Sequence, residues 1–68
     1  MNMSEEMNFF IFLVEQYAAY KNTSADIILK KWDSIGITDI ILNSYELYHI
    51  EALENAFKDI IKLEEEHS

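Results

Sequence analysis

Sixty-eight residues and 8.0 kDa leave room for one small domain and none for a Rossmann sheet, a barrel or a nucleotide cleft. Hydrophobic residues make up 50%, too many for a disordered tail, and the lack of cysteine excludes a disulfide framework, a thiolate nucleophile and a cysteine zinc site. The formal charge of −8, from 13 acids and 5 bases, repels phosphate backbones and anionic lipid, so neither nucleic acid nor a membrane is an expected partner.

The chain has no proline and a single glycine, Gly36, which argues against a many-turned β fold and for helices joined by short connections. The first helix is predicted from about Ser4 to Lys21, with Ser4 as cap and Glu5 and Glu6 at the positive end of the dipole. At 100° per residue Phe10, Leu13, Val14 and Tyr17 share one face, which Met7, Ile11 and Ala18 extend. Phe12 projects among the polar residues opposite. The β-rich run Phe9–Val14 also reads as a buried strand, but Glu15 to Lys21 continues it without a breaker and no second strand is available to pair. The same run is far shorter than the roughly 18–20 residues that span a bilayer, and Glu5 and Glu6 precede it where a signal peptide needs bases. A cytoplasmic location is therefore the expectation.

Asn22-Thr23-Ser24 forms the first turn, and Thr23 or Ser24 caps a second helix to about Ser34. Asp26 and Lys30 form an i,i+4 pair in the favourable order. Ile28, Leu29, Trp32 and Ile35 share a face that excludes Ile27, and Gly36 suits the left-handed residue after the helix. Thr38 is the expected cap of a third helix, with Ile37 stapling onto Leu42 and Ile41, Tyr45 and Tyr48 facing inward. A fourth helix covers about Glu51 to Glu65, with Leu53, Ala56, Phe57, Ile60 and Ile61 on its apolar half. No strong breaker lies between Tyr45 and Leu53, so one long helix, favouring a dimer, is the alternative to two. The tail 64–68 is expected to fray. The fold is thus all-α, a compact bundle of three to four short helices in a single domain over 1–68. Its expected core is Phe10, Leu13, Val14, Tyr17, Ile28, Trp32, Ile41, Tyr45, Tyr48, Leu53, Phe57 and Ile60.

Charge is uneven. Residues 38–68 carry eight acids against Lys58 and Lys62, for −6, whereas 1–22 carry −2 and 23–37 are neutral. A basic protein is attracted to such a surface, with encounter speeded more than affinity; the plain alternative is solubility. Glu46-Leu47-Tyr48-His49 and Glu64-Glu65-Glu66-His67 both have the Glu-x-x-His spacing of di-iron bundles. Those sites also need a glutamate from each of two further helices; Glu15 is a possible donor from the first helix, but its predicted face is directed to solvent, so neither a metal nor another cofactor is expected. No spacing identifies a catalytic pair, a strained nucleophile turn or a phosphate loop, and the chain does not read as an enzyme. Helix two and Gly36 suggest a helix-turn-helix, but Thr38–Tyr48 offers no lysine or arginine to phosphate. Phe12 and Ile27 sit on polar faces; joined with Phe9 in one patch they mark a partner surface.

These residues also carry a family likeness. Val14-Glu15-Gln16-Tyr17, the Thr23-Ser24 start, Gly36-Ile37-Thr38-Asp39-Ile40-Ile41, Tyr45-Glu46-Leu47-Tyr48-His49 and Asp59-Ile60 follow one another as in a small bacterial family, the domain of unknown function numbered three-seven-nine-one, which the chain resembles over about Phe10 to Ile61. Its signature positions fall here on Glu15, Tyr17, Gly36, Asp39, Tyr45, His49 and Asp59. After His49 the family usually continues Thr-x-Gly, whereas this chain has Ile50-Glu51-Ala52. The family has no assigned activity; its members are often encoded beside proteins resembling ADP-ribosyltransferase toxins. The resemblance implies an antitoxin-like or accessory role exerted by protein binding. The function expected is therefore that of a small acidic protein-binding module that masks its partner. A self-associating structural homo-oligomer is the alternative.

Overall fold

A computed structural model describes residues 4–68; residues 1–3 of the expected domain lie outside the described residues. The chain order is α1 (Glu5–Tyr20), α2 (Ala25–Ile35), α3 (Thr38–Leu42), α4 (Tyr45–Tyr48) and α5 (Leu53–His67), with no strand among the described residues. Phe9–Val14 is helical. Ser4 caps α1 as expected, accepting from the Met7 N–H at 3.1 Å.

The short connections out of α1 and α2 are closed by the same device. Gly36 stands at φ 77°, its N–H reaches Asp33 O, and the Ile37 N–H reaches back to Trp32 O at 3.0 Å. At the end of α1 Asn22 takes φ 59°, its N–H bonds Ala19 O, and the Thr23 N–H bonds Ala18 O at 2.8 Å. These left-handed residues turn the chain sharply, so α2 folds back against α1.

Two caps and one helix start differ from the sequence reading. Ser24 stands before α2, but its hydroxyl donates to the Asp26 carboxylate instead of receiving a backbone N–H. Thr38 is the first residue of α3, with Ile37 before it; the Thr38 hydroxyl donates to the Asp33 carboxylate and ties α3 to the last turn of α2. Ile37 is itself fully buried. Ala52 precedes α5 in extended conformation without a side-chain cap, so α5 begins at Leu53, two residues later than Glu51.

The long-helix alternative for residues 38–65 does not hold. The chain breaks at Asn43-Ser44, where the Ser44 hydroxyl donates to Ile40 O at 2.7 Å and competes with continuation of the helix. It breaks again after Tyr48, where the His49 ring meets Tyr45 O at 2.7 Å. The predicted third helix is thus two short ones, and each lays one buried side chain, Ile41 and Tyr48, onto the core.

The core lies between α1, α2 and α5, closed by the short helices. Phe10, Leu13, Val14, Tyr17 and Ala18 bury one face of α1. Ile28 and Trp32 come from α2, and Ala56, Phe57 and Ile60 from α5. Trp32, Tyr17, Ile37 and Ile60 are wholly enclosed. Burial of each such large side chain contributes about 1.5–3 kcal/mol. Tyr45 and Leu53 were expected in this core but are only half-buried, because each opens its helix and sits at the rim. The tail does not fray at 64: α5 runs through His67, and Glu64 is buried.

Candidate functional site

The buried polar cluster is built on Glu64. It follows Ile60 by one turn and Phe57 by two, so it continues the apolar stripe of α5 into the core, and only 6% of it is exposed. The Tyr17 hydroxyl donates to its Oε1 at 2.8 Å and the Trp32 Nε1–H to its Oε2 at 3.0 Å. Lys31 Nζ lies 3.8 Å from Oε1 on a side chain that is half exposed. One carboxylate thereby joins α1, α2 and α5. Burial first, then the hydrogen bond to Glu64 and its charge, push the Tyr17 phenol far above its ordinary value and hold it neutral as a donor. Both oxygens of Glu64 are engaged and both aromatic donors are closed to solvent, so the cluster fastens helices together. The Glu-x-x-His pair at Glu64 and His67 is split by this packing, Glu64 inside and His67 outside. Among the described residues no three His, Cys, Asp or Glu side chains come together as a metal site.

A second aromatic group lies at the surface, where the N-terminal half of α1 meets α4. The Phe9 ring is 6.2 Å from Phe12, 5.6 Å edge-on from Tyr45 and 6.4 Å from His49. Tyr45 and His49, one turn apart, stack at 4.3 Å with their planes 7° apart. Phe12 remains 46% exposed and His49 is exposed, while Phe9 and Tyr45 are half-buried. Acids adjoin these rings. Partial loss of water, then the charges of Glu5 and Glu6 and a hydrogen bond to Glu5, raise the Tyr45 phenol above its ordinary value. Beside Tyr45 an open cleft is lined by Glu6, Leu42, Asn43 and Glu46.

Of the patch expected from the sequence, Phe9 and Phe12 therefore stand together, and Tyr45 and His49 join them. Ile27 is 55% exposed on α2, outside this set of ring contacts. The remaining signature positions separate by role. Tyr17 holds Glu64, and Gly36 turns the chain; Glu15, Asp39 and Asp59 are exposed on α1, α3 and α5. Glu64 was missed as a core residue because it is an acid near the C-terminus. Its spacing from Phe57 and Ile60 was the available signal.

A third feature is a groove at the other end of α1, where Tyr20 stacks on Phe57 at 4.8 Å beside Leu53, Glu54 and Lys58. Among the described residues no helix is long and apolar enough to cross a membrane.

The family model described as "Protein of unknown function (DUF3791)" matches residues 8–67. No curated protein and no solved structure matches the chain.

Proposed function

The chain belongs to the DUF3791 family, and from this footing we propose that it is an acidic protein-binding module that acts by covering part of another protein. Its target in this reading is a toxin-type protein in the bacterial cytoplasm, towards which the chain is an antitoxin-like or accessory partner, as the family likeness implies. The observation that carries the binding reading is Phe12, 46% exposed beside Phe9 on a chain of net charge −8. An aromatic side chain left in water at the margin of a full core is the type of residue that anchors interfaces. The acids give the approach its long-range attraction to a basic surface.

The test is affinity capture of the chain from its native cells at low and at high salt, with solution mass measured alongside. The expected result is a basic protein retained in fixed ratio at low salt. Its association slows as the Debye length falls from about 10 Å at 0.1 M to about 3 Å at 1 M salt. A chain that captures nothing and runs at dimer mass at every salt concentration contradicts the reading and establishes the homo-oligomer instead.

A further inference from the structure

We propose that the α1–α4 surface is a two-part site for a basic amphipathic segment of a partner protein, with Phe9 and Phe12 receiving an apolar side chain and the cleft between Glu6 and Glu46 receiving a lysine or arginine. The proposal rests on the protein-binding reading above and gives it an address and a ligand chemistry.

The two parts share Tyr45. Its ring packs edge-on against Phe9, 5.6 Å away, and also lines the cleft whose other walls include Glu6 and Glu46. A cation in that cleft meets two carboxylates and the Tyr45 ring together, and ring and charge both favour a cationic head group. The Tyr45–His49 stack, 4.3 Å apart, holds the platform in one orientation, and the contact of the His49 ring with Tyr45 O fixes its base. An apolar side chain one helical turn away on the same segment then reaches the Phe9–Phe12 pair.

Charge decides which occupant fits. A second copy of this chain would bring the same acids, Glu5, Glu6 and Glu46, against their counterparts in a twofold contact, on molecules that each carry −8. Like charges so placed oppose association. Among the described residues the cleft lining holds no lysine to neutralise the acids nearest the rings. The Tyr20–Phe57 groove offers no comparable choice, because Glu54 and Lys58 there balance each other.

The test titrates the isotope-labelled full chain with a short synthetic amphipathic peptide of arginine and leucine, and separately with its glutamate–leucine counterpart. The arginine peptide is expected to move the backbone signals of Glu6, Phe9, Phe12, Tyr45 and Glu46 and to bind far more tightly than the glutamate peptide. Phe12→Glu should weaken binding at least about tenfold. The pair Glu6→Gln with Glu46→Gln, compared at a temperature where its helical circular dichroism matches that of the natural chain, should weaken it about fivefold, and Ile27→Glu should leave it unchanged. Signals that move instead around Ile27 or Tyr20, equal binding of both peptides, or indifference to both variants overturns the proposal. If the captured native partner binds these variants as it binds the natural chain, the binding reading stands and this site falls. If neither native partner nor arginine peptide binds, both fall.

Discussion

The junction of α1, α2 and α5 and the junction of α1 with α4 both consist of aromatic rings beside carboxylates, yet they are finished in opposite ways. At the first, Tyr17 and Trp32 are closed to solvent and spend their polar hydrogens on Glu64. At the second, Phe12 and His49 face water, and Glu6 and Glu46 line an open cleft. A carboxylate inside must be satisfied, because stranding its donors costs more than the bonds gain. A carboxylate at the rim is free to meet a partner. The first junction therefore holds the fold, and the second is the surface proposed above to bind.

Substitutions break that contrast in a graded order. Trp32→Ala removes the largest enclosed side chain and one of the two donors to Glu64, and should cost about 3–5 kcal/mol in denaturant unfolding. Glu64→Leu leaves the Tyr17 and Trp32 donors buried without an acceptor, and about 2–4 kcal/mol should be lost. The milder Glu64→Gln keeps one acceptor oxygen and should cost less. Gly36→Ala meets no neighbouring atom, so only the φ of 77° opposes it, at about 1 kcal/mol. Phe12→Glu should change the unfolding free energy by no more than a surface change does, about 0.5 kcal/mol or less.

Alkali sharpens the same contrast without mutation. The folded chain holds the Tyr17 phenol above the value of 10.0 that an unperturbed tyrosine has, chiefly by burial and then through Glu64. The unfolded chain therefore gives up this proton first, so the contribution to stability is complete below about pH 10 and declines as pH rises beyond it. Tyr48, raised by burial and by Asp59, acts in the same direction. Tyrosinate absorbance followed together with helical circular dichroism should show the buried phenols ionising only as the helices melt. Ionisation of all four tyrosines before any loss of helix would break the account of the inner junction.

The inner junction was largely legible from the letters. Helical spacing identified Phe10, Leu13, Val14, Tyr17, Ile28, Trp32, Phe57 and Ile60 as buried, and Gly36 as the turn. Periodicity reads apolar side chains, and for that reason it passed over Glu64, a charge whose burial depends on donors 32 and 47 residues away in the chain. The region from Ile37 to Ala52 was less legible. At its first break a serine hydroxyl bonds Ile40 O, and at its second the His49 ring adds to the backbone bond on Tyr45 O, local contacts that a helical wheel does not register. The expected patch of Phe9, Phe12 and Ile27 divides: the Phe9 and Phe12 rings lie 6.2 Å apart on α1, while Ile27 stands on α2 outside their ring contacts. That Tyr45 and His49 complete their group follows from the fold-back of α4, which no spacing within α1 encodes.

The most direct measurement is the binding isotherm of the captured partner with Phe12→Glu and with Glu64→Gln, each held well below its melting temperature. The account predicts that Phe12→Glu melts like the natural chain and loses affinity, whereas Glu64→Gln melts earlier and keeps it. The reverse assignment, or equal affinity for both variants, would contradict the division between an inner junction that folds and an outer one that binds.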